Sequence, residues 1–259
     1  MESSKVPALA RAVDILNLIA RIGPCSATTI IHELNIPKST AYLILGELKS
    51  QRFLRVDSDD HYCLWTKIIE LAGHAVNKID LRELARKPLI NLMEETGFLC
   101  HLGIIDNEQA YYILKVESKS TISVRSHEGK SMSLYRSGIG KCLLAWQPDN
   151  VRKRIINNIS FKIKTNNTIS NSHDLIQELE HIRRQGWSYD NSEDYENVRC
   201  VAAPVFNSKN KLIAAISVVG TSLQITESNI GEIIDRTLLC AQEISHLTGW
   251  EPSSLYSVS

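Results

Sequence analysis

Residues 34–54, LNIPKSTAYLILGELKSQRFL, constrain the fold more than any other part of the chain. Pro37 presets a φ suited to the start of a helix and needs no backbone donor there. Behind it Ala41, Ile44, Leu45 and Leu48 recur at i, i+3, i+4 and i+7, the spacing of one buried helical stripe. That stripe leaves Lys38, Ser39, Thr40 and Tyr42 on the exposed first turn. All four side chains can hydrogen-bond a phosphate oxygen or a base edge, and Ser39 and Thr40 can alternatively cap orphan amides. Upstream, Leu9, Ala12, Val13, Leu16 and Ile19 form another helical stripe, stopped at Gly23-Pro24. Ser26 is placed to cap a second short helix, ATTIIHEL, that ends at Asn35. Downstream, FLRV and HYCLW read as two strands joined by the turn-forming Asp57-Ser58-Asp59-Asp60. Three short helices and a hairpin in this order predict a winged helix-turn-helix over residues 1–65.

Past the hairpin, KIIELAGHAV predicts a linker helix within residues 66–79. Asp80 is positioned to cap LRELARKPLINLMEET, which Gly97 closes, and Pro88 inside that run predicts a kink or two abutting helices. Beyond Gly97 the period changes. FLCHLGII, EQAYYILKV and STISVR read as short strands, and GIGKCLLAW and the stretch from about Asp149 to Asn157 as helices. A polar segment, KIKTNNTISNS, precedes the helix HDLIQELEHIRRQ, ended by Gly186. Strands WSYD, CVAAPVF and KLIAAISVV follow, then a C-terminal helix from about Thr226 to Thr248. Strands bracketing helices in this manner predict an α+β domain on a mainly antiparallel sheet, residues 80–259.

Bulk properties narrow the function classes. The apolar share of 43% and charged share of 22% describe a globular protein, not a disordered one. No apolar run approaches the roughly 18 residues of a membrane span, and the N-terminal MESSKVPALARAV lacks the pattern of a secretory signal. Cys25, Cys63, Cys100, Cys142, Cys200 and Cys240 are scattered with no C-x-x-C pair. That spread argues against zinc and against a disulfide framework, and fits a cytoplasmic location. The 29 basic and 29 acidic residues cancel, so any DNA-attracting face must be local to a small module.

With these residues in view, the chain resembles the IclR family of bacterial transcriptional regulators over almost its whole length. PALARAVDIL, PKSTAY, SGIGKCLLA, and the run from GWSYDNSED through VRCVAAPVF to LIAAISVVG carry the likeness. The resemblance implies an N-terminal winged helix-turn-helix, a linker helix and a C-terminal GAF/PAS-like effector domain. It implies homodimers, often paired into homotetramers, acting as repressors or activators on a pseudo-palindromic, double-stranded operator and released or engaged by a small organic acid, a sugar acid or an aromatic. Some positions depart from the family pattern. Leu43 follows Tyr42 where relatives usually have Arg, Cys63 and Trp65 stand where the wing often has Arg and Gly, and Ser133-Leu134-Tyr135 replaces a favoured Pro-Leu-His. Each good bidentate base contact carries about 1–3 kcal/mol of discrimination, so the missing cations alter DNA recognition. Lys38, Lys49, Arg52 and Arg55 are the remaining cations for that role.

The DNA-contacting set is thus Lys38, Ser39, Thr40, Tyr42, Lys49, Arg52 and Arg55, with Ser39 and Thr40 on phosphates and Lys38 and Tyr42 on bases. Leu43 suits the core or a thymine methyl. The resemblance places Asp190, Glu193, Cys200 and Ser217 on the effector pocket, while Met132 and Leu134 would supply an apolar wall and Val219 replaces a small polar residue. Cys200 and Ser217 also begin apolar runs and are equally suited to simple packing. Gly138, Ile139 and Gly140 open a helix whose amides would face an anionic ligand, or else the glycines serve tight helix–sheet packing. A phosphate-loop motif is excluded because Tyr135 and Cys142 stand where Gly and Ser or Thr are required. His32-Glu33 lacks the second His of a zinc-protease helix, since position 36 is Ile. No nucleophile has a positioned base, so no catalytic residue, metal ligand or cofactor is assigned.

Overall fold

The computed structural model describes residues 5–76, 80–118 and 126–251. The chain divides into two compact units, residues 1–79 and 80–259. In the first, helices α1 (Pro7–Ile22), α2 (Ala27–Leu34) and α3 (Lys38–Ser50) enclose a core of Ile15, Leu18, Ile19, Ile30, Ala41 and Leu45. Ser26 caps α2 by accepting the Thr29 amide at 3.2 Å, and Asn35 ends it in the left-handed region. Pro37 sits at the cap of α3 itself, extended at ψ 135°, and its carbonyl accepts the Ala41 amide at 2.9 Å. Neither Ser39 nor Thr40 caps the helix. Strands β1 (Leu54–Val56) and β2 (Tyr62–Leu64) form the antiparallel wing, and Tyr62 also bridges to Cys25 in the α1–α2 turn.

The stripe read for α1 is only partly the buried one. Ile15, Leu18 and Ile19 face the core, while Leu9 and Val13 are exposed. The helix carries apolar residues on more than one side, so spacing alone did not select the inward face. Helix α4 (Thr66–Val76) follows the wing, with the Lys67 amide donating to the Arg52 carbonyl at 3.0 Å. The last predicted linker residues, 77–79, lie outside the described residues, as does the whole of the predicted STISVR strand.

The second unit opens with α5 (Leu81–Thr96), capped by Asp80 and closed by Gly97. It is one continuous helix with Pro88 buried inside it, not two abutting helices. Strands β3 (Leu99–Asp106), β4 (Gln109–Val116), β5 (Ser131–Met132), β6 (Ser188–Asn191), β7 (Val198–Phe206) and β8 (Leu212–Thr221) make a six-stranded sheet in the order β5-β4-β3-β8-β7-β6. Every pairing is antiparallel. The two-residue β5 was not legible as a strand and is defined by its pairing with Ala110 and Tyr111.

Strand alternation sorts the residues into two layers. Val201, Ala203, Ile216 and Val218 point to a core shared with α5 and the C-terminal α9 (Ile230–Leu247). On the opposite face, Ala202 and Ala215 pack under α6 (Gly138–Ala145), α7 (Asp149–Asn157) and α8 (Ser172–Gln185). Helix α6 presses close to the sheet because it begins with glycines. A Cβ on Gly138 would stand 2.9 Å from Cys200 Sγ, and one on Gly140 would stand 2.0 Å from the Ser133 carbonyl oxygen. Gly140→Ala is therefore expected to destabilise the second unit by about 1–3 kcal/mol, lowering its melting temperature. An unchanged melting temperature would show that the Ser133 turn yields freely.

Candidate functional site

In the first unit the exposed side of α3 is the candidate surface. Lys38, Ser39, Tyr42 and Lys49 are exposed, and Thr40 is half-buried at the flank. Leu43, 77% exposed, projects from the middle of this face and takes no part in the core. Arg52 has a positive φ of 60° and lies 3.7 Å from Glu70 of α4. Arg55 stacks its guanidinium on Trp65, 4.6 Å from the ring centroid. The structure therefore gathers Lys38, Ser39, Tyr42 and Lys49 on one helical face and sets Arg52 and Arg55 beside the wing. The wing turn is acidic and self-organised. Asp57 accepts the amides of Asp59 and His61 at 3.0 and 2.9 Å, and these bonds, led by that from His61, hold its carboxyl below the usual range. Asp59 and Asp60 are exposed at the tip.

In the second unit a cavity of about 620 Å³ opens on the sheet face beside α6. Its sheet wall comes from His101, Tyr112, Asp190, Cys200, Ser217 and Val219, which alternation turns away from the α5–α9 core. Met132, Leu134 and Ile139 supply the apolar side. Six of the eight effector-site residues proposed from the sequence thus meet here. Gly138 and Glu193 do not line the cavity. Gly138 packs against Cys200, as the close-packing alternative requires. Of the amides at this helix start, that of Gly140 is taken, donating to Ser137 Oγ at 3.0 Å.

Glu193 has a different task. Lys141 of α6 is completely buried, and its ammonium donates to Glu193 at 2.6 Å and to Glu178 at 3.0 Å. Burial alone would lower the Lys141 pKa; the two carboxylates outweigh it and keep the ammonium charged. The Glu193 amide meanwhile donates to Asp190 Oδ1 at 2.7 Å, and its carbonyl accepts from Thr168 Oγ1 at 2.7 Å. Glu193 therefore builds the wall from behind while Asp190 faces the cavity.

The mouth contains residues that the sequence reading did not single out. Arg136 donates through Nε to Asp194 at 2.7 Å and through Nη1 to the Lys162 carbonyl at 3.2 Å. Tyr135, noted only as a departure from Pro-Leu-His, accepts the Lys162 amide on its hydroxyl at 2.6 Å. These bonds join segment 131–137 to residues 159–164 and to the loop after Asp190. The only signal for them was the polar character of three segments distant in sequence. His101, which belongs to no sequence motif, lines the sheet wall.

Several of these groups are uncharged at neutral pH. Burial, opposed in part by the bond from the Glu193 amide, pushes the Asp190 carboxyl up to about 8. Burial and the neighbouring Asp190 push the Cys200 thiol up to about 12. Burial, aided by Lys115, takes His101 down to about 3.

A winged helix-turn-helix with a presented third helix, followed by a sheet domain holding a polar cavity, has the make-up of a DNA-binding regulator. The family model for the IclR helix-turn-helix domain matches residues 8–58, and that for the C-terminal domain of bacterial IclR regulators matches residues 73–246. The chain belongs to the IclR family of bacterial transcriptional regulators and is not an enzyme. It is 65% identical over 251 residues, 97% of this chain and 96% of the relative, to an uncharacterized helix-turn-helix regulator, RhmR, of Escherichia coli K12. The solved IclR of Thermotoga maritima is 32% identical with a TM-score of 0.64, covering 93% of this chain and 98% of that one. The repressor BlcR of Agrobacterium tumefaciens shares the fold at a TM-score of 0.86 and 20% identity, covering 96% and 100%. Among the described residues no helix is long and apolar enough to cross a membrane.

Asp190 gives a pH test of the site. Its carboxyl binds a proton more tightly folded, at about 8, than at its ordinary 3.8. The folded state therefore loses stability as pH rises between those values. Asp190→Asn keeps an acceptor for the Glu193 amide and removes the titration. The variant should gain on the parent by a few kcal/mol, on the order of that shift, between pH 5 and pH 9 in denaturant melts. Parallel stability–pH curves for the two proteins would refute a buried, proton-binding Asp190.

Proposed function

We propose that this DNA-binding regulator is a repressor of a catabolic operon, working in the cytoplasm as a homodimer or homotetramer. It binds a pseudo-palindromic operator through paired α3 helices and answers to a small organic or sugar acid held in the second unit's cavity. The observation that carries this reading is the combination in one chain of an α3 face free of core duties and a cavity with polar and apolar walls. Lys38 and Tyr42 suit base edges, Ser39 and Thr40 suit phosphates, and Lys49, Arg52 and Arg55 suit the flanking backbone. Effector binding favours one placement of the two wings, and the resulting difference in DNA affinity is the coupling energy, typically about 1–3 kcal/mol.

A second reading has a specific observation behind it. Exposed Leu43 in the middle of the α3 face, with Asp59 and Asp60 at the wing tip, fits a member that senses its ligand and signals by protein contact. Selection of bound fragments from the protein's own genome at about 50 and 200 mM salt separates the two, since phosphate contacts release counterions and weaken steeply with salt. Enrichment of two-fold symmetric fragments that fades at the higher salt supports the repressor reading; no enrichment supports the second.

On an enriched fragment, Thr40→Ala should weaken binding to all sequences alike, whereas Tyr42→Ala should change which are preferred. Replacing Asp59 and Asp60 together by Asn should strengthen binding severalfold by removing charge that repels phosphate. Asp190→Asn should alter the ligand response and leave ligand-free DNA binding intact. Binding unchanged in both α3 variants, measured by fluorescence titration, would remove α3 from the interface.

A further inference from the structure

The wing carries an arginine that is held by a ring and not by a carboxylate. Strand pairing sets Leu54 opposite Leu64, Arg55 opposite Cys63 and Val56 opposite Tyr62. Leu54, Leu64 and Tyr62 join the first unit's core, so alternation turns Arg55 to the outer face of the wing, where it is exposed. There its guanidinium lies over Trp65, 4.6 Å from the ring centroid. Trp65 is anchored at both ends of its own backbone. Its amide donates to the Phe53 carbonyl at 2.8 Å, and its carbonyl accepts the Ile68 amide at 3.1 Å. The ring itself stays 40% exposed, so it covers the arginine and not the core. Nearby carboxylates are engaged elsewhere. Glu70 faces Arg52 at 3.7 Å, and Asp57 takes the amides of Asp59 and His61 at 3.0 and 2.9 Å and the Cys63 thiol at 3.5 Å. Among the described residues no carboxylate pairs with Arg55.

We propose that Trp65 is a positioning residue for DNA binding, its ring preordering the Arg55 guanidinium to meet a phosphate of the duplex. The proposal rests on the reading that this unit binds DNA with Arg55 beside the wing. A guanidinium is planar, and all its N–H donors lie along its edge. A ring beneath it engages the face through the cation–π attraction and leaves that edge open for a phosphate. A carboxylate would take the same donors that a phosphate needs, and would cancel the charge that attracts it. Arg55 therefore keeps both its donors and its charge, which Arg52, facing Glu70, does not. An exposed arginine without support samples many rotamers, and a DNA contact has to arrest them. Over Trp65 much of that freedom is already gone, so less is lost on binding. If the ring only stiffened the wing, its removal would matter equally with or without the arginine.

The test uses the full-length protein and a fluorescein-labelled duplex carrying the fragment most enriched in the genomic selection, titrated by anisotropy over a series of salt concentrations. The variants are Arg55→Gln, Trp65→Ala, Trp65→Leu, Trp65→Phe, and Arg55→Gln combined with Trp65→Ala and with Trp65→Leu. Their melting temperatures are measured alongside, and the Trp65→Leu pair decides should Trp65→Ala fail to fold. Arg55→Gln is expected to weaken binding and to flatten the slope of log affinity against log salt by about 0.9 for each bound subunit, the loss of one phosphate contact. Trp65→Ala and Trp65→Leu should each weaken binding about threefold to fivefold, and Trp65→Phe, which restores a ring face, should recover most of that loss. In the Arg55→Gln background neither change at Trp65 should weaken binding further. Binding by Trp65→Ala as tight as the parent's overturns the positioning role, as does an equal loss in both backgrounds or a Leu that serves as well as Phe; each leaves Arg55 in the interface. Arg55→Gln without effect on affinity or slope overturns it by removing Arg55. If the folded parent binds no fragment more tightly than random duplex DNA, the operator reading fails and the positioning role fails with it.

Discussion

The architecture of the second unit depends on a lysine with nowhere to put its charge. Lys141 lies in the middle of α6, whose eight residues are all buried. An ammonium without water must find counter-charges or give up its proton. Glu178 of α8 and Glu193 from the loop after β6 supply them at 3.0 and 2.6 Å. That pairing ties three elements together at one point. Because Glu193 is held there, its amide is delivered to Asp190 and its carbonyl to Thr168, so the cavity wall is fixed from behind.

The sheet performs a division of labour that follows from its period of two. Along β7 and β8, alternate residues serve the α5–α9 core and the cavity. Val201, Ile216 and Val218 belong to the first set, and Cys200, Ser217 and Val219 to the second. Shifting either strand by one residue would exchange the sets. The close approach of α6, permitted by glycine at 138 and 140, covers the sheet next to the cavity. What remains open is bounded by Arg136, Tyr135 and Asp194, whose bonds join three segments distant in sequence.

The first unit presents a different balance. Its core is met by Ala41, Leu45 and Leu48 on one side of α3, which leaves the other side free for recognition. The charges of this unit are partly committed already. Arg52 faces Glu70 and Arg55 lies over Trp65, while the wing tip is acidic. Lys38 and Lys49 are the exposed cations of the α3 face itself, which is how a chain of zero net charge keeps its basic character local.

The amino-acid sequence determined most elements, their order, and many of their ends. Helical and strand periods, the Ser26 and Asp80 caps and the left-handed Gly97 are local properties, set by neighbours a few residues away. It also revealed the inward stripe of α3 and six residues that meet at the cavity. It left open which apolar side of α1 turns inward, since more than one side qualified. It offered packing for Gly138 only as one of two alternatives, and it missed that Glu193 serves Lys141, 52 residues away, and that His101 faces Ser217 across a strand pairing. Those facts were decided by the tertiary structure alone. Each depends on which distant side chain shares a buried space, and burial, unlike helical period, gives no local signal of the partner it will require.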